Sequence, residues 1–454
     1  MLKDQMWFRF EEAMHIAYRQ FQDEGKNVEA DAGLIEELGK MPYGDRRKRE
    51  VAQMLWDKWE NLPCDGEFFK DEPNELELIR RLRPKEGLVG WGQDVDASYD
   101  RIYGAWLARC AGCLLGQPME GWTRERIEGL LAETGNLPVK GYVSSLIPGE
   151  IRARYGVEDD KKVYGGSKIN WINNTDCMPE DDDINYTILA LKLMEEKGFA
   201  FTSYDVGLCW LGSLPVLHVC TAERVAYLNM VNGICPPESA RFRNAYREYI
   251  GAQIRADFFG YICPGNPQKA AELAFRDASV SHRKNGIYGE MFVAAMIAAA
   301  AVENDIKRII FAGLSQIPAN CRLARGIGEV IGWHDKKVGA QSALDQIHER
   351  YDENFGYDWC HVIPNAMIVC IGLLYGDKDF SKTMDLCLRA GFDTDCNCAT
   401  AGSVLGMILG AEKLPAEWVA PLKDKVQSGV DGMGRIRISE LAQRTLRVSE
   451  SGKA

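Results

Sequence analysis

Cys398-Ala399-Thr400-Ala401-Gly402-Ser403-Val404-Leu405-Gly406-Met407-Ile408-Leu409-Gly410 is the stretch on which the fold turns. Its apolar residues predict a buried helix, and glycine at every fourth position falls on one helix face. Glycine inside a helix costs up to roughly 1 kcal/mol against alanine, so several in register need a packing reason. Close approach of another helix backbone supplies it. Gly104, Ala108, Gly112 and Gly116 repeat the device earlier in the chain. Small-residue faces on both segments predict helices packed backbone to backbone at the centre of a bundle.

Working outward, Ile102–Leu115, Ile184–Met194, Pro267–Phe275, Met291–Val302 and Val362–Tyr375 carry helical patterns rich in Ala, Leu, Ile and Met. Pro267 suits the first turn of its helix, where no amide donor is needed. Strand-like alternation is scarce, and the expected class is all-α. Residues 1–90 read as an N-terminal helical extension, with one stripe of Phe8, Phe10, Ala13, Met14, Ala17 and Phe21 and another of Val51, Met54, Leu55 and Trp59. It would pack on the main region, 98–450, or join copies of the chain into a homo-oligomer. The Gly-rich run Pro84–Ala97 reads as a linker or wrapped loop. Residues 136–180, with scattered Gly, Pro, Asn and aromatic residues, predict a long ordered loop of the kind that usually serves function.

Of the 454 residues, 46% are hydrophobic and the net charge is −12. No basic patch suited to nucleic acid is evident, since phosphate binding needs clustered Lys and Arg. The first residues lack a signal-peptide layout, and Met291–Val302 is too short to span a bilayer. Fourteen cysteines without a secretion signal point to reduced thiols and a cytoplasmic location. Cys110/Cys113 and Cys396/Cys398 are close pairs. The former lies in an apolar helical pattern, where buried cysteine acts as a small hydrophobe rather than a zinc ligand.

The chemistry concentrates in acidic groups. Glu180-Asp181-Asp182-Asp183 opens a helical run, where carboxylates face the positive end of the dipole. Capping needs only one or two of them, and four in a row repel one another without a cation. Asp393-Thr394-Asp395 precedes the glycine-striped run. Carboxylates at i and i+2 point the same way only on extended or turn-like backbone. Feeding a buried helix, such a turn is costly unless something cationic lies between the side chains. Hard divalent ions take oxygen ligands of this kind. Glu120 falls just past the first glycine-striped helix and is a candidate base.

In this order the motifs resemble the ADP-ribosylglycohydrolase family. Gly104-Ala105, Gly112, Gly116 and Glu120 resemble its first signature, which reads Gly-Asp-Ala-Leu-Gly before the Glu. Glu180 to Asp183 resemble its Thr-Asp-Asp-Thr box, and Gly391-Phe392-Asp393-Thr394-Asp395-Cys396-Asn397 its Gly-Gly-Asp-Thr-Asp-Thr-Asn box. The likeness runs from about Arg101 to Trp418. It implies a compact all-α domain with two Mg²⁺ or Mn²⁺ ions, hydrolysing a glycosidic bond at the anomeric carbon of ADP-ribose. It implies Glu180, Asp181, Asp182, Asp393 and Asp395 as metal ligands, with Glu120 and Asp182 as catalytic residues. Cys113 replaces an Asp, and Glu180 and Asp183 replace Thr. Cys396 stands where a ligating Thr is often found, and a neutral thiol partners Mg²⁺ poorly. Asp183 and Cys396 are therefore secondary metal candidates, and one ion is better supplied than two.

Ser281-His282 and Asn285-Gly286-Ile287-Tyr288 lie where the family has a His-bearing helix start. Asn-Gly is a turn signal, which makes His282, Asn285, Gly286 and Tyr288 candidate substrate contacts. Tyr246-Arg247-Glu248 and the pair Arg255/Asp257 could instead belong to a buried ion network. The expected partner is an ADP-ribosylated protein or a small ADP-ribosyl or ribosyl compound. Alternatives are a nucleoside or other N-glycoside hydrolase on the same scaffold, or a non-catalytic binding or structural protein that keeps the fold.

Overall fold

Backbone contact between the glycine faces organises the molecule. The computed structural model describes residues 6–64, 70–84, 95–159 and 170–452. Five central helices, numbered here in chain order, are α1 (Tyr99–Gly116), α2 (Asp182–Lys197), α3 (Asn285–Ala300), α4 (Val362–Gly376) and α5 (Thr394–Leu409). A Cβ on Gly104 would lie 2.6 Å from the Gly406 carbonyl oxygen. On Gly112, Gly116, Gly402 or Gly406 it would approach backbone atoms of the facing helix more closely still. Gly112 meets Cys398, and Gly116 meets Thr394 and Asp395, so the helices run antiparallel. The end of α1 therefore lies beside the start of α5.

Helix α3 is buried over its whole length, as expected for a helix apolar on every side. It packs against Pro267–Ala278, Ile306–Leu314, Asp257–Tyr261 and α5, while α4 joins α5 to Phe380–Arg389. Asn266 caps Pro267–Ala278 by accepting from the Lys269 amide, and Pro267 occupies its first turn. Among the described residues the only sheet is an antiparallel ribbon, β1 (Lys425–Gln427) with β2 (Arg435–Arg437). The fold is all-α.

One hydrophobic cluster runs from Ala13 to Val448. In the N-terminal helices, Phe21 lies edge-on to Trp56 and Trp59, with centroids 5.4 and 5.6 Å away. Met54, expected in that stripe, is exposed, and Trp56 fills the core instead. The layer is tied to the main body by Gln20 Nε2 donating to Glu248 (2.7 Å), Arg247 to Glu24 (2.7 Å) and Arg322 to Glu72 (2.8 Å). Most of Pro84–Ala97 lies outside the described residues, as do 160–169 of the expected loop. The described part of that loop contains a short helix, Gly149–Tyr155. Asn170 donates to Gln117 Oε1 at 3.3 Å, and Gln117 in turn donates to Asp181 at 2.7 Å.

Candidate metal centre

Helix starts and one helix end assemble the site. Asp181 is the N-cap of α2, where its Oδ1 accepts from the Asp183 amide at 3.0 Å. Asp393 is the N-cap of α5 without spending its carboxylate on a cap bond. Gly391 and Phe392 just before it both take left-handed backbone, with φ of +71° and +57°. For buried Phe392 this is an uncommon conformation. It swings the chain so that Asp393, outside the helix, and Asp395, in its first turn, converge. Thr394 Oγ1 donates to the Gly116 carbonyl (2.9 Å) and clamps this turn to the end of α1, from which Glu120 follows.

The ligand atoms form overlapping groups, each within 4.8 Å: Cys113/Asp181/Asp183, Asp183/Asp395/Cys396 and Glu120/Asp393/Asp395. All but half-exposed Glu120 are buried. Burial, then the surrounding carboxylates, pushes the Asp183 and Asp395 carboxyls well above the ordinary range, and burial raises Asp181 as well. Asp393 Oδ1 is buried with no hydrogen-bond partner. Carboxylates gathered this closely, with an orphaned oxygen, fit a hard divalent cation. The thiols stay protonated, held so by burial and the same carboxylates. Cys396 donates to Asp183 Oδ2 at 3.2 Å and Cys360 to Asp393 Oδ2 at 3.5 Å.

The ADP-ribosylglycohydrolase family profile matches residues 94–453. The chain belongs to the ADP-ribosylglycohydrolase family. Among solved structures, one described as an "ADP-ribosylglycohydrolase-related protein complex" is similar, at 16% identity and a TM-score of 0.44, covering 78% of this chain and 98% of that one. No match was found among curated proteins. Among the described residues, no helix is long and apolar enough to cross a membrane.

In this ADP-ribosylglycohydrolase family member the acidic groups gather some of the expected residues and not others. Asp183, rather than Asp182, joins Asp181 in the acidic groups; Asp182 begins α2 and is half-buried outside them. Glu180 turns away, with Oε1 2.6 Å from His218 Nδ1 and 3.1 Å from Asn185 Nδ2. Burial opposes its charge, but the His218 and Asn185 contacts bring its pKa below the usual value. Gly429 leaves room for this carboxylate, which a Cβ there would strike. Cys113, read as a core thiol, lies against Asp181 and Asp183.

His282, Asn285, Gly286 and Tyr288 are not brought to the acidic groups. Asn285-Gly286 forms no turn loop but the first turn of α3, because Lys284 before it takes φ +47°. Asn285 Nδ2 donates to Glu248 (2.8 Å) and its Oδ1 accepts from the Leu323 amide (3.0 Å). Tyr288 donates to the Pro73 carbonyl, and a Cβ on Gly286 would meet the Arg247 carbonyl oxygen at 2.6 Å. His282 is fully buried beside Ser281, at 2.8 Å. These residues offer a substrate no surface. Arg255 and Asp257 do sit in buried ion networks, as do Arg247 and Glu248, though the two are not paired with each other. Arg255 binds Glu223, Asp277 and Glu290, while Asp257 pairs with Arg109 at 2.9 Å.

Arg109 was not legible in the sequence. Fully buried in α1, it donates to the Asp183 carbonyl (2.8 Å), the Ile254 carbonyl (2.7 Å) and Thr187 Oγ1 (2.9 Å), and lies 3.3 Å from Asp183 Oδ1. It balances part of the acidic charge and fixes α2 on α1. Arg109→Met is expected to destabilise the chain by about 3–5 kcal/mol, because Asp183 and Asp257 would keep buried charge without a partner. Denaturant unfolding measures this. A loss under about 1 kcal/mol would mean that Arg109 does not carry that balance.

Proposed function

We propose that the protein is a metal-dependent glycohydrolase that cleaves the bond at the anomeric carbon of ADP-ribose, releasing ADP-ribose from a protein or small-molecule acceptor. The observation that carries the reading is the convergence of Asp181, Asp183, Asp393 and Asp395, with Asp393 Oδ1 unpartnered, beside Glu120 in a chain of this family. Mg²⁺ or Mn²⁺ held by these carboxylates would supply Lewis acidity and grip the ribose hydroxyls. Glu120, Asp393 and Asp395 form the one all-carboxylate group and would hold one ion; each of the other two groups includes a protonated thiol, so a second ion is less well supplied.

The residues of the chain do the rest. Glu120 is the partly exposed member of the acidic set, so it is placed to take a proton from water attacking an oxocarbenium-like centre. Gln117 fixes the Asp181 carboxylate, and Cys396 and Cys360 each give Asp183 and Asp393 a neutral donor. Asp182, expected as a second catalytic residue, begins the helix outside this set and is assigned no step.

The test is a substrate panel, with Mg²⁺ or Mn²⁺ and with EDTA, of ADP-ribosylated protein, small ADP-ribosyl conjugates and nucleosides. Free ADP-ribose, released only with cation, is the expected product. Glu120→Gln is expected to lower turnover by about 10²–10⁴-fold. Ribose release from nucleosides alone would move the activity to nucleoside hydrolysis. Silence across the panel with cation bound would make the chain a binding protein.

A further inference from the structure

A cavity of about 610 Å³ lies between the N-terminal helices and the main body. It shares no lining residue with the acidic centre. Leu62, Pro73 and Leu78 give it an accessible apolar wall, and Glu24, Arg247, Arg283 and Lys284 also line it. The charges there do not cancel. Glu24 accepts from Arg247 at 2.7 Å, and among the described residues neither Arg283 nor Lys284 has a carboxylate within ion-pair reach. The other lining carboxylates are engaged or exposed: Glu60 pairs with Arg241, Glu72 with Arg322, and Glu75 is exposed.

Lys284 is only 8% exposed and has no carboxylate within 4 Å among the described residues; the carboxylates that feel its charge, Glu24 and Glu248, already bind Arg247 and Arg322. Burial of that kind is costly unless a counter-charge is supplied. Its backbone is strained, at φ +47° and ψ −123°, and is held by Asn74 Oδ1 accepting from its amide at 3.0 Å. Next in the chain is the N-terminus of α3, whose dipole adds positive potential. Glu24 cannot neutralise the set: although burial opposes its charge, Arg247, Lys284 and Arg283 hold its pKa down to about 2. It is already a full carboxylate, and positive charge remains.

We propose that this cavity is a second ligand site, taking a phosphate-bearing molecule of nucleotide size. Arg283 and Lys284 contact the phosphates, and the wall formed by Leu62, Pro73 and Leu78 covers the apolar part. Its volume falls within the range of small-molecule sites, and Arg and Lys side chains beside a helix N-terminus are groups that bind phosphate.

Calorimetry of the full chain in EDTA, with ADP and with inorganic pyrophosphate as probes, tests this. ADP is expected to bind saturably, at least tenfold tighter than pyrophosphate. Arg283→Gln and Lys284→Gln should each weaken it about tenfold or more, and Asp393→Asn should leave it unchanged. Thermal unfolding of each variant separates lost binding from lost fold, and Arg283→Gln serves if Lys284→Gln does not fold. No saturable binding of either probe would overturn the proposal. So would binding that Asp393→Asn removes and the two cation variants keep. Equal affinity for the two probes would overturn the assignment to a nucleotide-sized ligand.

Discussion

Asp395→Asn is expected to abolish Mn²⁺ binding and to cut glycosidic hydrolysis by a factor on the order of a thousand, while leaving the cation-free chain at least as stable as before. Asp395 belongs to two of the three acidic groups, so its loss weakens ligation on both sides. The effect on the cation-free chain has the opposite sign. Burial and the charges of Glu120, Asp393, Asp181 and Asp183 hold the Asp395 carboxyl well above the usual range. A carboxyl raised in the folded state contributes stability when protonated, and that contribution is lost as pH rises through the folded pKa. At neutral pH the crowding therefore opposes folding, and an amide in its place relieves it. Mn²⁺ at a hundred times its dissociation constant should stabilise the wild type by about 2.7 kcal/mol and the variant not at all. Titration calorimetry and thermal unfolding with and without Mn²⁺ read these effects. A variant that bound Mn²⁺ with wild-type affinity would sink the site as drawn.

The contrast between Asp395 and Asp182 shows where the sequence was readable. Asp393-Thr394-Asp395 was legible because an i, i+2 pair ahead of an apolar run constrains its own backbone, and the cap geometry of α5 obeys that constraint. In the run Glu180 to Asp183 all positions carry an acid, so the sequence holds no phase. Which acids face inward depends on how α2 is rotated by contacts from distant segments. Arg109, 74 residues before Asp183, draws that residue inward. His218, 38 residues after Glu180, draws Glu180 aside. Neither contact has a local signature. At Asn285-Gly286 the dipeptide predicted a turn, but the unusual dihedral was taken one residue earlier by Lys284. Local propensity there yields to tertiary contacts from Asn74, Glu248 and Leu323.

Gly112→Ala is expected to destabilise the chain by about 3 kcal/mol or more, against a gain of up to about 1 kcal/mol for Gly328→Ala in an open, exposed helix position. Both changes add one methyl group and raise helix propensity, so propensity predicts the same sign for each. Packing separates them. At Gly328 a Cβ meets nothing within 4 Å, whereas at Gly112 it would overlap the Cys398 backbone. A side chain can change rotamer, but a helix backbone can yield only by moving α1 away from α5. That movement has a direction along the stripe, because the antiparallel pair carries Gly116 beside Thr394 at the acidic end and Gly104 beside Gly406 at the other. Gly116→Ala should push the Glu120 end of α1 off the Asp393–Asp395 turn and weaken Mn²⁺ binding beyond what lost stability explains. Gly104→Ala should cost stability with Mn²⁺ affinity kept in the folded fraction. Equal losses of affinity from both would show that the stripe acts as one rigid unit. The separation of Glu120 from the aspartates would then be set by the whole helix pair rather than by its acidic end.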